Sequence, residues 1–151
     1  MKLLTQIARI ITGLLFVFSG FVKGIDPMGT AFKLGDYFSA FNIGFLDEMA
    51  LPFSVLLCLL EFVTGMMLLS GALVKPVSWM AAIFMAIFTP VTLILAIWNP
   101  VSDCGCFGDA IILTNWQTFI KNVIITVPVV FVFIRRADET GTMPLKAGLN
   151  F

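Results

Sequence analysis

The 151-residue chain is 60% hydrophobic and only 12% charged, about half the charge of an ordinary soluble domain and too little to cover a water-soluble globule. Nine basic residues balance nine acidic ones and histidine is absent. Composition therefore argues against a nucleic-acid partner and removes imidazole-based metal, haem and general-base chemistry.

The length accommodates about four membrane-spanning helices with short connections. The first apolar segment runs over Thr5–Val22, with Arg9 as its only charge. Lys2 and the apolar Ile10–Phe18 resemble a signal peptide, but no small-x-small cleavage site follows, so an uncleaved helix is expected. The next segment, Lys23–Ala50, opens on Asp26-Pro27 and carries Phe32, Tyr37, Phe38 and Phe41 at near-helical spacing. That pattern predicts an amphipathic helix in the membrane interface, capping the bundle. The second span is Leu51–Val74, interrupted only by Glu61, and the third, Val77–Trp98, is uncharged. Residues Asn99–Leu113 form a loop that carries two of the three cysteines. Thr114-Asn115-Trp116-Gln117 fits a capping box, so the fourth span, Asn115–Ile134, should start there. Trp98 and Trp116 bracket the loop at headgroup level. Thr12-Gly13 and Ser19-Gly20, with Thr64-Gly65 and Ser70-Gly71, supply small residues for close helix contact.

Basic residues predict the orientation. With the N-terminus inside, Lys2, Arg9, Lys75, Arg135, Arg136 and Lys146 lie on the cytoplasmic side, against Lys23, Lys33 and Lys121 outside. Both termini are then cytoplasmic and the cysteine loop faces outward, where disulfides persist. The expected location is a bacterial inner membrane.

Asp103-Cys104-Gly105-Cys106-Phe107-Gly108-Asp109 is the most specific stretch. Two thiols one residue apart close a small, strained disulfide ring, and strained bridges are the exchange-active ones. Closing so short a loop stabilises little, which favours exchange chemistry over bracing. A metal held by this pair would lack further thiolate or imidazole ligands, so no metal site is expected. Lys121, two turns into the fourth helix, can snorkel toward the loop. With the positive helix end it would favour a thiolate, whereas Asp103 and Asp109 oppose one. Of the two thiols, Cys106 is closer in sequence to Lys121.

Glu61 sits deep in the second span, where an ionised carboxylate needs a partner. Counting down from the outer ends of the helices places Arg9 within reach, so a Glu61–Arg9 pair is expected. Its functional version is a polar patch for a cofactor head group or a proton route; its structural version is an interhelical tie. Cys58, one turn above Glu61, is either a third redox cysteine or a small buried apolar residue.

Arg9–Phe16 with Ser19-Gly20-Phe21-Val22-Lys23 resembles the first span of the DoxX family. Asp103–Gly108 followed by Asn115-Trp116 resembles the MauE-type proteins of methylamine utilisation. The similarity covers about residues 7–135, and 1–151 are expected to form one DoxX/MauE-like transmembrane domain. The resemblance implies an all-α, four-helix membrane bundle. MauE-type proteins are linked to maturation of a disulfide-rich periplasmic enzyme, and DoxX members to quinone-linked or thiol redox roles. The architecture is also similar to bundles that pass electrons between thiols and a quinone, but those use Cys-x-x-Cys and often a second pair. The cofactor is therefore left open, with quinone as the candidate. The chain closes on Leu149-Asn150-Phe151 without a soluble redox domain, so a thioredoxin-like or disulfide-containing partner outside the membrane is expected to be separate, or to belong to a longer chain. The leading expectation is a membrane thiol–disulfide oxidoreductase using Cys104 and Cys106. The alternative is a non-catalytic membrane subunit or assembly factor whose cysteine loop docks a partner.

Overall fold

A computed structural model describes residues 2–100 and 110–137. The chain runs α1 (Lys2–Ile25), α2 (Pro27–Ala40), a 3-10 turn (Gly44–Met49), α3 (Ala50–Ser70), α4 (Val74–Trp98) and α5 (Asn115–Arg135). Among the described residues there is no strand, and the fold is an all-α, multi-pass membrane bundle. Four helices are long and apolar enough to span: α1, α4, α5 and α3 together with its preceding 3-10 turn. Their outward faces carry large apolar side chains such as Leu14, Leu59, Ile87 and Val127, which suit hydrocarbon as solvent.

Local sequence sets the helix ends. The Asp26 side chain accepts from Gly29 N at 2.9 Å, and Pro27 occupies the first turn, where its missing N–H costs nothing. Gly71 ends α3 in the left-handed region at φ 72°, which glycine adopts without a Cβ penalty. At α5 the capping box forms as the sequence predicts: Thr114 Oγ1 accepts from Gln117 N at 3.3 Å, and Gln117 Oε1 accepts from Thr114 N at 3.0 Å.

Helix α1 packs against α3 and α5, while α4 packs against α5 and α3, closing a four-helix ring. The core includes Phe16, Leu68, Val77, Phe84, Val129 and Val132, with Phe16 and Phe84 meeting edge to face. Helix α2 lies on α3, and Ser54 Oγ donates to Pro27 O at 2.7 Å. Thr89 and Thr126, close to Pro90 and Pro128, form a 3.3 Å hydroxyl pair between α4 and α5.

Glycine lets α1 and α3 approach most closely. A Cβ on Gly65 would lie 2.5 Å from Val17 N and 2.7 Å from Gly13 O. One on Gly20 would lie 2.6 Å from Phe62 N. Backbone atoms cannot step aside, so the helices would have to separate. Gly65→Ala should therefore lower stability by about 2–3 kcal/mol, outweighing the about 1 kcal/mol gain in helix propensity. Gly24→Ala meets nothing within 4 Å and should be neutral or stabilising in the same thermal melts of purified protein.

Candidate functional site: a buried lysine–glutamate cluster between α1 and α3

Up-and-down connectivity puts the α1–α2 junction, the start of α3, the end of α4 and the start of α5 at one end of the bundle. Lys23 and Glu61, two of the three buried charged residues among those described, lie near this end. Glu61 of α3 takes both carboxylate oxygens to Lys23 of α1: Nζ lies 2.8 Å from Oε1 and 2.9 Å from Oε2. Ser19 Oγ donates to Oε2 at 2.9 Å from one turn deeper on α1. Both charged side chains are only 9% exposed, so each replaces water lost by the other. The Lys23 ammonium also stands 6.0 Å from the centroid of the Phe88 ring.

This arrangement corrects the expected Glu61–Arg9 pair. Gly20 abuts Cys58 and Phe62, whereas Gly13 abuts Gly65 and Leu69. Glu61 is therefore level with Ser19–Lys23. Arg9, buried on α1, lies about 15 Å further along the axis at about 1.5 Å per residue. Counting inward from the ends of the apolar segments missed the stagger, because the helical path into α3 begins at Gly44. Lys23 and Ser19 were missed as site residues for the same reason. Their i, i+4 spacing on one face was a readable signal, but Lys23 also reads as a helix-end anchor.

The cluster borders a cavity of about 50 Å³, walled by Phe16, Phe84 and Phe88 and closed on the α5 side by Lys121 and Asn122. Lys121 thus comes to the same pocket as Glu61, which the sequence did not link. The space admits water, and Ser19, Glu61, Lys121 and Asn122 supply polar partners for it. Asn122 Nδ2 donates to Thr92 Oγ1 at 3.2 Å and fixes the α5 wall to α4. Cys58 is buried one turn from Glu61 as a free thiol, but it lines a separate hollow beside Gly20 and Phe62.

Cys104, Cys106, Asp103 and Asp109 lie outside the described residues. The two ends of their loop are described. Asn99 caps α4 in the left-handed conformation at φ 49°. Asn115 Nδ2 donates to Asn99 Oδ1 at 2.7 Å. This bond joins the end of α4 to the start of α5 at the end of the bundle nearer the Lys23–Glu61 pocket. Among the described residues no group of His, Cys, Asp and Glu is placed to hold a metal ion.

The family model for methylamine utilisation protein MauE matches residues 1–135. The chain belongs to the MauE family. The match covers all four candidate spans, the Lys23–Glu61 cluster and the stretch that carries Cys104 and Cys106. The chain is also similar to Protein TlpB of Flavobacterium psychrophilum, 28% identical over 130 residues. That alignment covers 83% of this chain and 35% of the relative, so this MauE-family chain spans about a third of the relative's length. No solved structure matches it.

Proposed function

We propose that the protein is a thiol–disulfide oxidoreductase of the bacterial inner membrane, exchanging electrons with an extracytoplasmic redox partner through Cys104 and Cys106. The observation that carries this reading is the bond between Asn99 and Asn115, the residues on either side of the Cys-Gly-Cys stretch. That bond joins the end of α4 to the start of α5, at the end of the membrane bundle nearer a polar pocket. The residues that flank the thiol pair in sequence thus stand at the bundle end, at the limits of the apolar spans. Membership of a family described by methylamine utilisation supports an accessory role toward a disulfide-containing partner. The six-to-three excess of basic residues supports cytoplasmic termini and an outward loop. Helix α2, with its aromatic spacing, then lies in the outer interface.

The exchange balances without other reagents. A partner thiolate attacks one sulfur of the Cys104–Cys106 disulfide, the S–S bond breaks, and a mixed disulfide joins the proteins. The partner's second thiol attacks that bond, leaves as the partner disulfide and returns two thiols on Cys104 and Cys106. Two electrons and two protons have moved, and the relative potentials set the direction.

The test is differential alkylation of intact spheroplasts with a membrane-impermeant maleimide. After external reduction, Cys104 and Cys106 should both become labelled, and re-oxidation should protect both. Labelling only after lysis would overturn the orientation. Labelling that never responds to redox treatment would leave the loop as a docking element of a non-catalytic subunit.

A further inference from the structure

At the end of the bundle away from the Lys23–Glu61 pocket, α1 and α4 start and α3 and α5 stop. There Trp79 of α4 and Phe133 of α5 meet edge to face, with ring centroids 4.7 Å apart. The guanidinium of Arg136, which caps α5, stands 3.9 Å from the Phe133 centroid and 5.3 Å from that of Trp79. Its Nη1 donates to Phe133 O, which holds the fork against the rings. A guanidinium carries five N–H donors, so this bond leaves others for an oxyanion. Lys75 lies one turn before Trp79 on the same face of α4, and the exposed indole sits between the two cations. Asp26, Asp36, Asp47 and Glu48 belong to the opposite end, on or beside α2 and the 3-10 turn, and Glu61 is bound to Lys23. No described carboxylate therefore reaches Lys75 or Arg136. Further along α4, Ile83 and Ile87 follow Trp79 at four-residue spacing and are exposed as well, an apolar track running to hydrocarbon depth.

We propose that the α4–α5 edge at this end binds an anionic phospholipid. Its phosphate meets Lys75 and Arg136, its glycerol region meets the Trp79 indole, and an acyl chain follows Ile83 and Ile87. Two cations and an indole at headgroup depth, followed by an apolar track, match the order of groups along a phospholipid. Arg136 supplies geometry as well as charge, since a planar fork pairs two phosphate oxygens and the rings already hold it in place. The apolar track alone would not discriminate, because every lipid offers acyl chains. The site depends neither on the cysteine chemistry nor on which way the chain faces, so its failure would leave the proposed exchange untouched.

The experiment uses the full chain carrying Trp98→Phe and Trp116→Phe, which leaves Trp79 as its single tryptophan, in nanodiscs of zwitterionic phosphatidylcholine. The probe is phosphatidylglycerol brominated on its acyl chains, which quenches tryptophan on contact. Half-maximal quenching of Trp79 should need a mole fraction about twentyfold lower than with brominated phosphatidylcholine, from two cations worth about fivefold each. Lys75→Gln and Arg136→Gln should each cut that preference about fivefold. Lys75→Arg should retain it, with folding of each variant checked by circular dichroism. Lys2→Gln removes a charge at the same end from α1, diagonal to α4 in the helix ring, and should leave the preference unchanged. A loss with Lys2→Gln equal to that with Lys75→Gln would overturn the site and leave only diffuse attraction to a basic surface. Equal quenching by the two brominated lipids would overturn it as well. Recovery of Trp79 fluorescence on adding inorganic phosphate would give the anion site to a soluble ion and overturn the lipid.

Discussion

Cys104→Ser and Cys106→Ser should each abolish disulfide exchange with the partner, and only one of them should accumulate a reduction-sensitive adduct. The asymmetry arises when the exchange runs toward reduction of a partner disulfide: one thiolate of the reduced pair attacks it, the other thiol resolves the mixed disulfide, and that intermediate persists only when the resolving thiol has been removed. Losing the attacking cysteine leaves nothing to trap. Cys106 is closer in sequence to α5 and to Lys121, so the adduct is expected on Cys106 in the Cys104→Ser chain. A non-reducing gel of membranes, followed by mass spectrometry of the shifted band, reads the result. A bracing disulfide would behave otherwise: both variants would lose stability equally and neither would trap a protein.

Lys23→Ala should be the most destabilising charge deletion in the bundle. It leaves the Glu61 carboxylate with Ser19 as its remaining partner, in a site where water is scarce. Removing one member of a buried pair costs about 3–5 kcal/mol, and a lone carboxylate in the membrane about 2.5–3.5 kcal/mol. Adding Glu61→Gln should recover most of that loss, because the amide removes the stranded charge and keeps its shape. The same Glu61→Gln change should not rescue Arg9→Ala, since Arg9 stands about 15 Å along α1 from the cluster at about 1.5 Å per residue. Thermal melts of the two double-mutant cycles decide the matter. A coupling near zero for Lys23 with Glu61, or a large one for Arg9 with Glu61, would contradict the packing of α1 on α3.

A great deal of the fold was legible in the residues. Sparse charge and long apolar runs require a membrane bundle, because only helices satisfy the backbone of an open chain in lipid. Thr114 and Gln117 announce the start of α5, since their reciprocal bonds depend on neighbours three residues apart. Gly13, Gly20 and Gly65 announce a close helix contact. The candidate site was legible only in part. Glu61 declared itself by sitting in an apolar helix, but its partner did not. A carboxylate needs a cation, and sequence offered Arg9 and Lys23 without saying which lay at the same depth.

What the sequence by itself determined was local or compositional: the membrane as solvent, the start of α5 set by Thr114, and the Cys-Gly-Cys spacing. These properties depend on residues within a turn of one another, or on averages over a span. Tertiary structure alone decided the axial stagger of α1 on α3, fixed where glycine lets the two backbones meet. That stagger selects Lys23 rather than Arg9 for Glu61. Tertiary structure also brought Lys121 and Asn122 of α5 to the same pocket. Such choices rest on contacts between residues tens of positions apart. In lipid, packing shape sets those contacts, because hydrophobicity does not distinguish one apolar face from another.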